Sequence, residues 1–73
     1  MMKELKIYFK DQKAEQEKIN KLTDLADTLF DIRISKASVM IENYGFEFPV
    51  VELNSKLYSF EDGMDILKET AVD

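Results

Sequence analysis

The sequence predicts an α/β domain, a four-stranded mixed sheet flanked by helices in the order β-α-β-α-β-β-α. Three observations carry that expectation. Apolar and polar residues alternate in Leu5–Lys10 and again in Leu29–Ile34, the period of a half-buried strand. Between these segments apolar residues recur at three- and four-residue steps, which marks an amphipathic helix. A helix of that length can join two strands as a right-handed parallel crossover. After Gly45, two strand-like runs flank the polar pair Asn54-Ser55, the pattern of an antiparallel hairpin.

In the first strand Leu5, Ile7 and Phe9 share a face. Tyr8 falls with the lysines on the other, where an aromatic can still pack under a helix. The first helix is expected over about 12–27, built on Ala14, Ile19, Leu22, Leu25, Ala26 and Leu29. Asp11 is its N-cap, and Glu15 and Glu17 place negative charge near its start, where the helix dipole favours it. In the second strand Phe30, Ile32 and Ile34 face one way and Asp31 and Arg33 the other. Ser35–Gly45 reads as a short helix, capped by Ser35 and ended by Gly45 in a left-handed conformation. Its run Val39-Met40-Ile41 is also strand-like. Phe46–Leu53 and Lys56–Tyr58 supply the last two strands. Ser59-Phe60-Glu61-Asp62 opens the final helix, with Ser59 as N-cap and Asp62 in the capping-box position. Phe60, Met64, Leu67 and Ala71 form its apolar stripe, with Ile66 beside it. The expected core joins Leu5, Ile7, Phe9, Ile32, Ile34, Val51 and Leu53 to Ile19, Leu22, Leu25, Met64 and Leu67.

Composition narrows the function classes. At 73 residues the chain is read as one domain, residues 1–73, of a size that buries about 60% of its unfolded surface. Hydrophobic residues are 45% and charged residues 34%, a globular balance and not that of a disordered tail. Cysteine is absent, which excludes thiolate catalysis, disulfides and Cys-ligated metals. Histidine is absent too, removing the commonest general base and metal ligand. With Lys+Arg 10 against Asp+Glu 15, the net charge of −5 argues against a nucleic-acid surface. The stretch Met1–Lys6 lacks the apolar core of a secretion signal, and no run reaches the roughly 20 apolar residues of a membrane span. A cytoplasmic protein is expected, with no membrane partner.

The segment Tyr44-Gly45-Phe46-Glu47-Phe48-Pro49-Val50-Val51-Glu52-Leu53-Asn54-Ser55-Lys56, set in this element order, resembles the thioredoxin-like fold and the compact glutaredoxins in particular. In that family a Tyr-Gly-type turn ends the second helix, and a proline then opens the third strand. The resemblance covers nearly the whole chain and rests on the element pattern and one proline signature. It implies that Pro49 is a cis-proline beside the site and that Lys10 stands where a lysine holds a glutathione carboxylate. It also sets the window Lys13-Ala14-Glu15-Gln16 where a Cys-x-x-Cys pair belongs, with Lys13 and Gln16 in place of the two thiols. Tyr58-Ser59-Phe60-Glu61-Asp62 matches the family's Gly-Gly-aromatic-acidic-acidic segment, with both glycines replaced. Those glycines let a ligand approach the backbone closely, so their loss weakens the case for glutathione. A split ferredoxin-like sandwich is the alternative fold and requires Val39–Ile41 to be a strand.

The resemblance thus implies a redox-inactive glutaredoxin-like binding or interaction module using a groove beside Pro49. Its candidate residues are Lys10, Lys13, Gln16, Phe48, Pro49, Glu61 and Asp62, with Tyr44, Phe48 and Phe60 as aromatics for the rim. The expected partner is a protein or peptide segment, or a second copy of the chain. The alternatives are a degenerate glutathione-binding protein and a small structural subunit of a larger assembly, such as a phage-encoded one. Plainer readings compete at each residue: Lys13–Gln16 as a solvated helical turn, Lys10 as an outward strand residue, Pro49 as a trans proline at a strand start, and the aromatics as core. Glu61, Asp62, Asp65 and Glu69 read as dipole-favoured charge at a helix start, since a helix face supplies no loop that wraps a cation. No cofactor and no catalytic residue is expected.

Dithiol and monothiol exchange both require a sulfur nucleophile. Purified protein supplied with glutathione and a mixed-disulfide substrate should therefore give no turnover above a protein-free blank. Turnover above that blank would overturn the redox-inactive reading.

Overall fold

The computed structural model describes residues 3–27 and 29–72, the last two by backbone alone. Met1 and Met2 lie outside the described residues, as does the side chain of Ala71. Seven elements follow the expected order: β1 (Lys3–Phe9), α1 (Gln12–Ala26), β2 (Phe30–Lys36), α2 (Val39–Asn43), β3 (Val50–Leu53), β4 (Lys56–Tyr58) and α3 (Phe60–Val72). Because 39–43 is helical, the strand that a split ferredoxin-like arrangement needs does not form there.

The strands lie in the order β2-β1-β3-β4. β1 and β2 run parallel, from Lys3 opposite Phe30 to Phe9 opposite Lys36. β3 runs antiparallel to β1, with Leu5 opposite Leu53 and Ile7 opposite Val51. β3 and β4 form the antiparallel hairpin, with Leu53 opposite Lys56. Its turn is Asn54-Ser55, at φ 54° and 65°. Two left-handed residues in a two-residue loop match the twist of the flanking strands.

The pleat divides the core in two. On one face Leu5, Ile7, Phe30, Val51 and Leu53 meet Ile19, Leu22 and Ala26 of α1 and Leu67 of α3, with Phe9, Leu25, Ile32, Tyr58, Phe60, Met64 and Ile66 packed around them. On the other face Val50 meets Ala37 and Ile41, with Tyr8, Phe46, Phe48 and Leu57 against them. Helices therefore occupy both faces, but α2 has only five residues and covers one end. The open remainder carries Glu4, Lys6, Arg33 and Glu52. Arg33 Nε lies 3.1 Å and Lys6 Nζ 3.7 Å from the Glu4 carboxylate. Among the described residues no helix is long and apolar enough to cross a membrane.

Five local expectations are corrected. Of the apolar stripe expected on α1, Ala14 is exposed, and Leu29 lies beyond the end of the helix and is 38% exposed. Ser35 does not cap α2; it lies in β2 opposite Tyr8. The Ala37 N–H donates to Phe9 O at 2.8 Å, which holds the chain against β1 beyond Ser35. Ser38 is the next residue able to cap, and its Oγ accepts the Ile41 N–H at 3.3 Å. The third strand begins at Val50 rather than Phe46. Its pairing with β1 ends at Tyr8–Val50, and Pro49 has no N–H to extend the ladder. At the start of α3, Ser59 O accepts the Gly63 N–H at 2.8 Å, but among the described residues no capping box links Ser59 and Asp62. Ile34, expected in the core, is 43% exposed. α1 presents its buried residues only from Ile19 onward, so its first turns leave the far end of β2 without an apolar cover. Gly45 stands as expected, at φ +76° just after α2.

Gly63 permits a close crossing of α3 over β3, since a Cβ there would sit 2.6 Å from Val51 Cγ2. Alanine would raise helix propensity by about 0.5–1 kcal/mol, but the overpacking costs about 1–3 kcal/mol. Denaturant unfolding should show Gly63→Ala destabilised on balance. Leu22→Ala, at a fully buried position, should lose about 2–5 kcal/mol. A Leu22→Ala change within about 0.5 kcal/mol of the parent would refute the packing of α1 described here.

Candidate functional site

The connection between β1 and α1 holds the first group of candidate residues. Asp11 is in extended conformation before the helix, and its Oδ1 accepts the Ala14 N–H at 3.4 Å. Glu15 closes the cap from the other side. Its carboxylate accepts the Asp11 N–H at 2.8 Å and the Lys10 N–H at 3.2 and 3.3 Å. This is a capping box with the acid one residue further along than usual. It has a chemical consequence, because the amides of Lys10, Asp11 and Ala14 already hold the chain's own carboxylates. Lys10 and Lys13 are exposed beside them. Gln16 Nε2 donates to Asn20 Oδ1 at 3.0 Å, along the outer face of α1.

The second group precedes β3. The Phe48–Pro49 peptide bond is cis, the configuration the resemblance implied. Pro49 is fully buried. Phe48 is half-buried in the smaller core cluster, against Ala37, Ile41 and Val50. Among the described residues the Phe48 N–H and C=O find no hydrogen-bond partner. The preceding residue is tied down, since Glu47 O accepts the Phe60 N–H at 3.1 Å. That bond joins the segment to α3, whose first turn carries Glu61 and Asp62, both exposed. Phe60 itself is half-buried and packs toward the larger core, with Lys18 Nζ 5.2 Å from its ring centre. It binds α1 to α3 rather than standing free at a rim.

Tyr44 is 54% exposed, and its ring meets Phe46 edge to face at 6.0 Å. These two residues, with Ser55, Lys56 and Leu57, line a shallow concavity of about 450 Å³. Val39 and Met40, on the outer side of α2, are 71% and 65% exposed. Periodicity alone does not mark this apolar surface, since Val39-Met40-Ile41 fits either a helix or a strand. The available signal was that three consecutive apolar residues on one helical turn cannot all face the sheet. Only Ile41 does.

Tyr8 lies on the α2 side of the sheet. Its hydroxyl donates to Glu52 Oε1 at 2.9 Å. Burial, then the hydrogen bond to Glu52 and the charges of Glu52 and Glu4, push its pKa from 10.0 up to about 12. Each cause favours the neutral phenol. This is a structural tie across β1 and β3, with no reacting group beside it. The comparisons with known proteins find no family model, no curated protein and no solved structure that matches the chain.

The protein contains three tyrosines. Followed by tyrosinate absorbance, the parent should show an ionisation step near pH 12 that Tyr8→Phe removes. The folded value exceeds the unfolded one, so this contribution to stability is complete below pH 10 and is lost as pH rises through about 12. A Tyr8→Phe variant whose absorbance titration keeps that late step would contradict the Tyr8–Glu52 bond.

Proposed function

We propose that this chain is a thioredoxin-like interaction module without redox chemistry, which binds a protein segment on the surface shared by α2 and residues 46–49. The observation that carries the reading is the uncovered apolar group Val39, Met40 and Tyr44 beside the half-buried Phe46 and Phe48. Large side chains left in water on so small a domain mark contact surfaces. The unpartnered Phe48 backbone adds donors and acceptors for an extended chain. Support for the fold assignment comes from the element order, the β2-β1-β3-β4 sheet, and α1 and α3 sharing one face while α2 lies on the other. Lys10 and Lys13 give a nearby positive charge suited to an acidic residue or a C-terminal carboxylate.

Glutathione is the weaker ligand for this surface. Glu15 occupies the amides of Lys10 and Asp11, which leaves a glutathione carboxylate the two lysine ammonium groups but not those backbone donors. The glycines that would admit the tripeptide are Tyr58 and Ser59.

The reading is tested with a displayed library of random peptides selected on the immobilised protein. Enriched peptides should perturb backbone resonances of 39–49. Met40→Asp and Phe48→Ala, with circular dichroism unchanged, should weaken binding at least tenfold, and Lys13→Glu should weaken those peptides that carry an acid. Peptides that bind both apolar variants as tightly as the parent would place the interaction on another face. Saturable shifts at Lys10 and Lys13 on adding glutathione would favour the ligand-binding alternative.

A further inference from the structure

β2 forms an outer edge of the sheet, bonded to β1 on one side only. It is seven residues long, with Asp31, Arg33, Ile34, Ser35 and Lys36 exposed. An unpaired strand of this length offers a row of free N–H and C=O groups to another strand. Its side chains state which strand would fit. In an antiparallel pairing of β2 with itself, centred on Ile32, Asp31 of each copy faces Arg33 of the other. On the opposite face Phe30 meets Ile34, and Ile32 meets Ile32. Opposite charges directly across a strand pair stabilise it, and like charges oppose it. The register also respects the pleat, because residues of one face meet only residues of that face.

We propose that β2 is a self-recognition edge, and that two copies of the chain join through it about a two-fold axis into a continuous eight-stranded sheet. The occupant is a second copy because the complementarity is internal to the strand. Among the described residues the Asp31 carboxylate has no ion-pair partner, while Arg33 uses its Nε on Glu4 and keeps its terminal nitrogens for a further acceptor. The exposed Ile34 gains apolar cover from the partner's β2, which its own α1 does not provide. This surface is separate from the one assigned to partner binding, so the two proposals stand or fall independently.

The test uses the full 73-residue chain in sedimentation equilibrium over a wide concentration series. The parent should show a reversible, concentration-dependent dimer. Asp31→Arg alone sets arginines opposite one another, and Arg33→Asp alone sets carboxylates opposite one another. Each variant should remain monomeric where the parent dimerises. An equimolar mixture of the two restores both charge pairs across the axis and should dimerise again. Circular dichroism of each variant confirms that it is folded, and Ile34→Lys gives a second disruption at an exposed position. A parent that stays monomeric throughout the series overturns the proposal and leaves Asp31 and Arg33 as guards of a solitary edge. Single variants that dimerise like the parent, or a mixture that stays monomeric while the parent dimerises, overturn the register.

Discussion

Leu5 and Ile7 have no exposed surface; they pack between flanking strands and beneath two helices. They belong to β1, which bonds β2 in parallel on one side and β3 antiparallel on the other. Burial of this pair sets the register of both neighbours, since a one-residue slip would turn each of their apolar faces to water. It also commits Tyr8 to the opposite face, where the hydroxyl finds Glu52 and the ring lies under α2. With β1 in the middle, β2 and β4 become edges.

At this size about 60% of the unfolded chain's surface is buried, and here one face of the sheet is covered only in part. α1 and α3 cover one face with an apolar layer that stops short of Ile34. On the other, a five-residue helix shelters Tyr8, Val50, Phe46, Phe48 and Leu57, and charged residues take up the remainder. Among the described residues, the large apolar side chains left exposed are Val39, Met40 and Tyr44 at α2, Ile34 beyond the cover of α1, and Leu29 just before β2. Both proposed contact surfaces arise from this shortage of covering elements.

The β1–α1 connection shows how a local cap alters a site. Glu15 stabilises the helix start by accepting from two backbone amides. The same bonds remove those amides from any role in holding an incoming carboxylate. The surface proposed for partner binding lies instead at α2 and the Phe46–Pro49 segment, where Val39, Met40 and Tyr44 are exposed and, among the described residues, the Phe48 backbone has no hydrogen-bond partner.

Much of this was legible in the sequence because it depends on near neighbours. Alternation in Leu5–Lys10 and Leu29–Ile34, the helical spacing from Ile19 to Leu25, the Asp11 cap, the Gly45 turn and the Asn54-Ser55 hairpin are all short-range patterns. Only the tertiary structure decided the rest. Ser38 rather than Ser35 caps α2 because Ala37 bonds to Phe9, a residue of another strand. Ile34 has the same alternating pattern as Ile32, yet stays exposed because α1 carries no buried residue over it. Met40 and Ile41 are adjacent and similarly apolar, and only the position of the sheet sends one inward. Periodicity states which residues share a face, whereas coverage of that face depends on elements remote in the chain.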